Sequence, residues 1–332
     1  MNEAISQTLP DPLLAVEDLS VVFRTDEGLV HAVDGVSFRL FPGEVLGIVG
    51  ESGCGKSVTA LSTLRLIPSP PGRITGGRVH FDGKNLLGIP IRKLRRIRGN
   101  DISMVFQEPM TALSPLHRIG KQMVETLQTH RDIGRKEAWH TGADWLTRVG
   151  IADAAERMYA WPHQLSGGMR QRVMIAMALM LHPRLVIADE PTTALDVTIQ
   201  AQIFELMQDM KQRDMGLILI THDMGVIWEM CTRVVVMYAS EVVEQAAVGD
   251  LFGTPLHPYT EALLEAIPSL DGPRGRLQAI EGQVPSAIGY PAGCRFRDRC
   301  RYAFDRCSRE HPPLYRLGTR EARCFLREKE AG

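Results

Sequence analysis

Eight consecutive residues constrain this chain more than any others: Gly50-Glu51-Ser52-Gly53-Cys54-Gly55-Lys56-Ser57 fits the pattern G-x-x-x-x-G-K-[ST]. The pattern has chemical meaning only where a buried strand runs into a glycine-rich turn and then a helix. Both flanks comply: Glu44 to Gly50 (EVLGIVG) is a short apolar run, and Lys56 to Ile67 carries a helical pattern. In that setting the glycines let backbone N–H groups curl around a phosphate and the helix N-terminus adds positive potential. Lys56 then reaches the β- and γ-oxygens, and Ser57 holds Mg²⁺. Gly50, Ser52, Gly53, Cys54, Gly55, Lys56, Ser57 and Val58 are the expected nucleotide-binding residues. A tight glycine turn before a helix is the plainer reading, and the strand and helix context argues against it.

The rest of the chain repeats the strand theme. Ile102 to Gln107 (ISMVFQ), Leu185 to Glu190 (LVIADE) and Leu217 to His222 (LILITH) are further apolar runs that end in polar residues, as buried strands of a mainly parallel sheet do. Helical patterns at Gln171 to Leu181 and Val197 to Arg213 alternate with them, which predicts an α/β domain. Leu13 to Leu40 alternates apolar and polar residues and predicts antiparallel strands beside the main sheet. Residues of about 108–165 turn helical and more polar, a helical insertion between two strands. After Asp250 prolines punctuate a new composition. The expected division is a tail over residues 1–12, a P-loop ATPase domain over 13–250 and a C-terminal cysteine-rich extension over 251–332.

Length and composition agree. The 332 residues suit one large domain with an appendage, and 44% hydrophobic with 23% charged residues is ordinary for a globular chain. A formal charge of -1 argues against a chain built to coat nucleic acid. No stretch reaches the roughly 18 apolar residues needed to span a bilayer, since Val173 to Ala188 is cut by His182, Pro183 and Arg184. The opening MNEAISQTLPDP lacks the basic start and apolar run of a secretory signal, so a cytoplasmic location with reduced cysteines is expected.

Two acidic residues close the run Leu185-Val186-Ile187-Ala188-Asp189-Glu190. Asp189 is placed to join the Mg²⁺ shell and Glu190 to take a proton from attacking water. Leu165-Ser166-Gly167-Gly168-Met169-Arg170-Gln171-Arg172 then narrows the reading, because LSGGMRQR resembles the signature sequence of ATP-binding-cassette (ABC) ATPases. The order phosphate loop, Gln107, signature, Asp189-Glu190, Asp196 and His222 matches that family over residues 13 to about 250. The resemblance implies that Ser166, Gly167 and Gly168, at a helix N-terminus, face the γ-phosphate held by an opposite subunit. It also implies that Gln107 senses Mg²⁺ and the attacking water, that His222 contacts the γ-phosphate and holds Glu190, and that Asp196 bridges the dimer. Mg²⁺ would be held through Ser57, Gln107 and Asp189, and Glu190, His222, Gln107 and Lys56 would be the catalytic set. Phe23 is the candidate for stacking the adenine, with a core strand residue as the alternative. The turn Arg24 to Val30 weakens that transfer.

Closer still, Phe106 to Pro115 (FQEPMTALSP), Asp189 to Gln202 (DEPTTALDVTIQAQ) and His257-Pro258-Tyr259-Thr260 are similar to the ATPase subunits of oligopeptide, dipeptide and nickel importers. One departure is Ala239-Ser240, where that family commonly places a glycine. The resemblance implies an ATPase that energises uptake of peptides or a related solute such as a nickel complex or glutathione. It would sit peripherally on the cytoplasmic face of the inner membrane. Its partners would be a second ABC ATPase subunit, with a heterodimer favoured, and two integral membrane permease subunits contacted by residues 108–122. An extracytoplasmic solute-binding protein would act indirectly. The rival reading is a non-transport ABC-type ATPase acting as a switch on DNA or ribosomes. Such proteins usually carry two cassettes or a long coiled coil, and this chain has neither.

Cys294, Cys300, Cys307 and Cys324 crowd into the last 39 residues at spacings wider than those of common zinc sites. A small segment with little apolar material needs a staple. The family resemblance implies a [4Fe-4S] cluster in this extension, with zinc or free buried thiols as alternatives, while Cys54 and Cys231 are not expected as ligands. Residues 291–332 carry +5 and the remainder -6. The excess arginines would either offset thiolate charge or form a solvated basic face.

Overall fold

The computed structural model describes residues 11–108, 112–192, 197–211, 214–267 and 280–331. Asp196 and positions 109–111 of the expected permease-docking segment lie outside them, as do residues 1–10.

Among the described residues the strands form two sheets. One is antiparallel, in the order β2 (Gly28–Leu40), β1 (Leu14–Thr25), β4 (Gly72–Phe81), β5 (Lys84–Asn85). β1 is longer than the sequence suggests: Arg24 pairs with Leu29 and Thr25 with Gly28, so a tight turn replaces the expected loop at Arg24 to Val30. The Thr25 hydroxyl donates to the Gly28 carbonyl at 2.9 Å and extends the ladder into polar sequence.

The second sheet is the core. Its centre is parallel, with β3 (Val45–Val49) between β8 (Gly216–Ile220) and β9 (Arg233–Tyr238), then β7 (Leu185–Asp189) and β6 (Ile102–Val105) beyond β8. Every residue of β3, β7 and β8 is buried, which is why these segments read as unbroken apolar runs. The period of two sorts them by face. Val45, Val49, Val186, Ala188, Leu217 and Leu219 join the core on the side of the helical insertion; Leu46, Ile48, Leu185, Ile187, Ile218 and Ile220 join the core beneath the antiparallel sheet. The insertion itself carries helices Ile119–His130, Arg135–Arg148 and Ala154–Arg157.

Beyond β9 the sheet continues antiparallel through β10 (Glu241–Ala247), and the last part of the chain returns to it. β12 (Arg320–Ala322) pairs with β10, and β11 (Tyr315–Leu317) pairs with β12. The departure at Ala239-Ser240 is the β9–β10 turn. Both residues take left-handed φ values, 46° and 70°, and Ser240, fully buried, shares a 2.6 Å hydrogen bond with the Tyr290 hydroxyl.

The basic excess of the extension is spent mainly on carboxylates. Arg295 pairs with Asp34, Arg299 with Glu51, Arg301 with Glu261 and Glu265, Arg306 with Glu310 and Glu328, and Arg320 and Arg323 lie beside Glu244 and Glu241. Several of these acids belong to the body of the protein, so the near-zero net charge is realised partly as ion pairs between an acidic cassette and a basic tail.

Glu244 is 0% exposed and accepts from the Leu256 and His257 N–H groups at 2.8 Å each. His257 caps the helix Pro258–Glu265, its Nδ1 accepting from the Tyr259 N–H at 3.0 Å. Burial, reinforced by the neighbouring Arg323, lowers its imidazole from the ordinary 6.5 to about 3. The folded chain therefore leaves His257 unprotonated across a range in which the unfolded chain binds a proton. Its stability contribution is complete above pH 6.5 and is lost as pH falls toward 3, by about 2 kcal/mol at pH 5. Urea unfolding at pH 7 and pH 5 should show a clearly smaller loss for His257→Asn, which keeps a capping acceptor. Equal losses in the two proteins would remove His257 as the cause.

Candidate functional site

Parallel register places the C-terminal ends of β3, β6, β7 and β8 side by side: Val105 lies opposite Ala188, Asp189 opposite Ile220, and Ile220 opposite Ile48. The residues that follow these strands therefore share one edge, where open α/β sheets bind their ligands.

After β3 the chain turns at Gly50 (φ 152°) and passes through Gly55 (φ 99°) into the helix Lys56–Thr63. A Cβ on Gly50 would drive into the Met237 carbonyl oxygen and one on Gly55 into that of Ala32, so only glycine lets this loop lie against the neighbouring strands. Lys56 is 8% exposed and donates Nζ to the carbonyls of Gly50 at 2.7 Å and Glu51 at 2.9 Å, folding the ammonium across the loop. Cys54 is buried and lies 3.8 Å from that ammonium, and burial pushes its thiol up.

Glu190, one residue past β7, takes a left-handed φ of 46°, a conformation that carries strain in a non-glycine residue. Its N–H is held by the Ile220 carbonyl at 2.9 Å. One carboxylate oxygen accepts from Gln107 Nε2 at 3.0 Å, and the other faces His222 Nδ1 at 3.5 Å. The His222 side chain is 70% exposed and that of Glu190 only 17%.

Asp189 is buried at the end of β7. Burial raises its carboxyl; the Ser57 side-chain hydrogen bond opposes this, neighbouring Glu190 adds to it and Lys56 opposes it. Its Oδ1 is buried with no hydrogen-bond partner. A partner-short carboxylate oxygen beside a serine hydroxyl is a donor set suited to a hard divalent cation.

Ser166 caps the helix Gly167–Leu179, its Oγ accepting from the Met169 N–H at 3.2 Å. A side chain on Gly167 would meet nothing within 4 Å, so this helix start opens to solvent. Buried Gln171 donates to the Pro191 carbonyl and ties the helix to the segment that follows Glu190. The signature motif contains Gln171, yet nothing in its spacing discloses this tie. Phe23, half-buried late in β1, packs over Gly72 and the core.

Among the described residues two hydrogen bonds reach the phosphate loop from beyond residue 250, and neither is foreshadowed by the sequence. The Glu51 N–H donates to the Tyr259 hydroxyl at 2.9 Å, and Arg299 Nη1 donates to the Glu51 carboxylate at 2.9 Å. The His257-to-Thr260 motif signals Tyr259 without its partner, and nothing in the pattern singles out Arg299.

Cys294, Cys300, Cys307 and Cys324 line one small cavity together with Phe296 and Phe325. Burial pushes the Cys294 thiol up to about 12, Cys324 up to about 11 and Cys300 also upward. Among the described residues no three His, Cys, Asp or Glu side chains form a group fit to hold a single metal ion. The thiols are gathered, then, without being closed to the spacing of one ion.

Comparison with known proteins bears on both halves of the chain. Residues 33–193 match the family described as ABC transporter, and residues 243–307 match the oligopeptide/dipeptide transporter C-terminal region. The "Probable peptide ABC transporter ATP-binding protein y4tR" of Sinorhizobium fredii is 50% identical, covering 96% of each chain. The oligopeptide transport ATP-binding protein AppD of Bacillus subtilis is 49% identical over 96% of this chain and 98% of its own. Among solved structures, a dimeric ATP-binding cassette in a post-hydrolysis state with ADP and phosphate is 26% identical with a TM-score of 0.65, covering 71% of this chain and 98% of the other. With a phosphate loop, a strand-end carboxylate pair and a capped signature helix on one chain, and relatives matching almost its full length, the protein belongs to the ABC transporter ATP-binding proteins that carry the oligopeptide/dipeptide transporter C-terminal region.

Proposed function

We propose that this chain is the ATP-hydrolysing subunit that energises a peptide importer, with Glu190 as its general base. The observation that carries the assignment is the placement of the Glu190 carboxylate between Gln107 and His222, next to Asp189 and the phosphate loop. Lys56 and the loop N–H groups hold the β- and γ-phosphates. Ser57, Gln107 and Asp189 are the residues to hold Mg²⁺, which when bound neutralises charge between those phosphates. Glu190 takes a proton from water as its oxygen attacks the γ-phosphorus; the bond to the bridging oxygen breaks and ADP leaves. His222 keeps the carboxylate aimed and contacts the γ-phosphate, and Gln107 aligns the water. Phe23 stacks on the adenine.

Ser166, Gly167 and Gly168, opening to solvent at a helix N-terminus, serve the ATP of a second ATPase subunit, and Asp196 bridges the pair. The names of the relatives support peptides as the solute class and lend nothing to the switch on DNA or ribosomes. Among the described residues no helix is long and apolar enough to cross a membrane. In this reading two membrane subunits form the path and this chain docks on them peripherally, through residues 108–122. Substitution Glu190→Gln should leave Mg²⁺-ATP bound and lower turnover by about a hundredfold or more. Turnover at the wild-type rate would remove Glu190 as the base.

In the extension we propose that the four cysteines hold an iron-sulfur cluster. Their common cavity supports this, and a cluster spreads its thiolates over several irons where zinc needs all of them around one point. Burial opposes thiolate formation at Cys294, Cys300 and Cys324, so bound iron would be what makes the ionised set stable. Protein purified without oxygen should contain iron and acid-labile sulfide in equal amounts, and Cys300→Ser should lose both. Zinc in their place, or no metal, would overturn the cluster.

A further inference from the structure

The phosphate loop is gripped from outside the cassette at its second residue. The Glu51 N–H donates to the Tyr259 hydroxyl, and the Glu51 carboxylate accepts from Arg299, each at 2.9 Å. The Arg299 side chain is 5% exposed and is itself anchored, with Nε donating to the Glu281 carbonyl at 3.0 Å and Nη2 to the Ile280 carbonyl at 3.1 Å. Its guanidinium cannot give up its charge, and in this half-dry setting a charge-assisted bond is among the strong ones. Tyr259 is fully buried, its ring 4.7 Å from that of Tyr238 and 5.5 Å from that of Phe296. Phe296 and Arg299 both lie between Cys294 and Cys300 in the chain. On the other side of Glu51, its carbonyl accepts from Lys56 Nζ. One loop residue thus links two C-terminal side chains to the lysine that meets phosphate.

We propose that Tyr259 and Arg299 are positioning residues of the nucleotide site, preorganising the phosphate loop through Glu51. The proposal rests on the phosphate-loop reading given above. A loop with glycine at three of its eight positions has much conformational freedom to lose when it closes on a phosphate. A clamp in place beforehand removes part of that cost, and nucleotide affinity rises by the same factor. The clamp does not touch Glu190, Gln107 or His222, so it acts on binding and leaves the chemical step alone. The His257-to-Thr260 motif gains a role as well, since His257 caps the helix Pro258–Glu265 and that helix presents Tyr259 to the loop.

The test measures binding of a fluorescent ATP analogue with Mg²⁺ to the full chain, and KM against kcat in the assembled transporter. Tyr259→Phe keeps the ring and removes the acceptor oxygen; Arg299→Ala removes the fork; Glu51→Gln weakens the same contact from the loop side. Each should raise the nucleotide Kd and KM by about three- to tenfold and hold kcat within about twofold. Glu51→Gln combined with Arg299→Ala should be no worse than the weaker-binding single variant, because both act on one contact. Should Arg299→Ala fail to fold, Tyr259→Phe and Glu51→Gln decide the matter. Unchanged Kd in those variants, effects at positions 51 and 299 that multiply, or a fall in kcat at constant KM would each overturn the proposal. Lys56→Ala separates the two levels: if it binds nucleotide normally the loop reading itself fails, and if it loses binding while the clamp variants do not, only the clamp fails.

Discussion

The hydrogen-bond register of the parallel strands is the constraint on which the site depends. Gly50, Gln107, Asp189, Glu190 and His222 are scattered over more than 170 positions, and no local interaction brings them together. They meet because β3, β6, β7 and β8 are parallel neighbours aligned so that their C-terminal ends coincide. A slip of one residue in β7 would turn Asp189 to the other face and carry Glu190 out of reach of Gln107 and His222. The buried faces guard against that slip. Each strand contributes alternate residues to two different cores, so a shifted register would mismatch both.

Electrostatics organises the rest of the molecule. The cassette is acidic and the tail basic, and the structure pairs the two: Arg295 with Asp34, Arg299 with Glu51, Arg320 beside Glu244 and Arg323 beside Glu241. The side chains of Arg299 and Glu244 are almost wholly buried, and there water screens least. Buried charges of this kind add little to net stability, but removing one partner leaves the other stranded. They therefore act chiefly as fixings, holding residues 280–331 in one position against β2, the β9–β10 turn and the phosphate loop. β12, added to the edge of the core sheet, does the same through backbone hydrogen bonds.

Much of this is legible from the chain alone, and for physical reasons. The apolar runs of β3, β7 and β8 stand out because strands buried on both faces are filled with apolar side chains, β7 admitting the carboxylate of Asp189 only at its last residue. Gly50 and Gly55 stand out because no other residue fits between the loop and the carbonyls of Met237 and Ala32. Ser166 is legible as the residue that precedes a helix, and the structure adds that its side chain caps that helix by bonding three residues ahead. The β1–β2 turn is shorter than the sequence suggests: its ladder continues through polar residues, and in an exposed hairpin the backbone sets the ladder's length while hydrophobic pattern does not.

Sequence by itself therefore determined the local chemistry: which turn receives a phosphate, which carboxylates close a buried strand, which serine starts a helix, and that four cysteines share one short segment. All of these depend on neighbours within a few residues, where spacing and residue type suffice. Only the tertiary structure decided that Glu190 faces Gln107 and His222, that the tail arginines are spent largely on carboxylates, and that Tyr259 and Arg299 reach Glu51 from more than 200 residues away. Those contacts depend on strand order and on how the tail folds back. A single bond between distant residues leaves no period or spacing in the chain by which to find it.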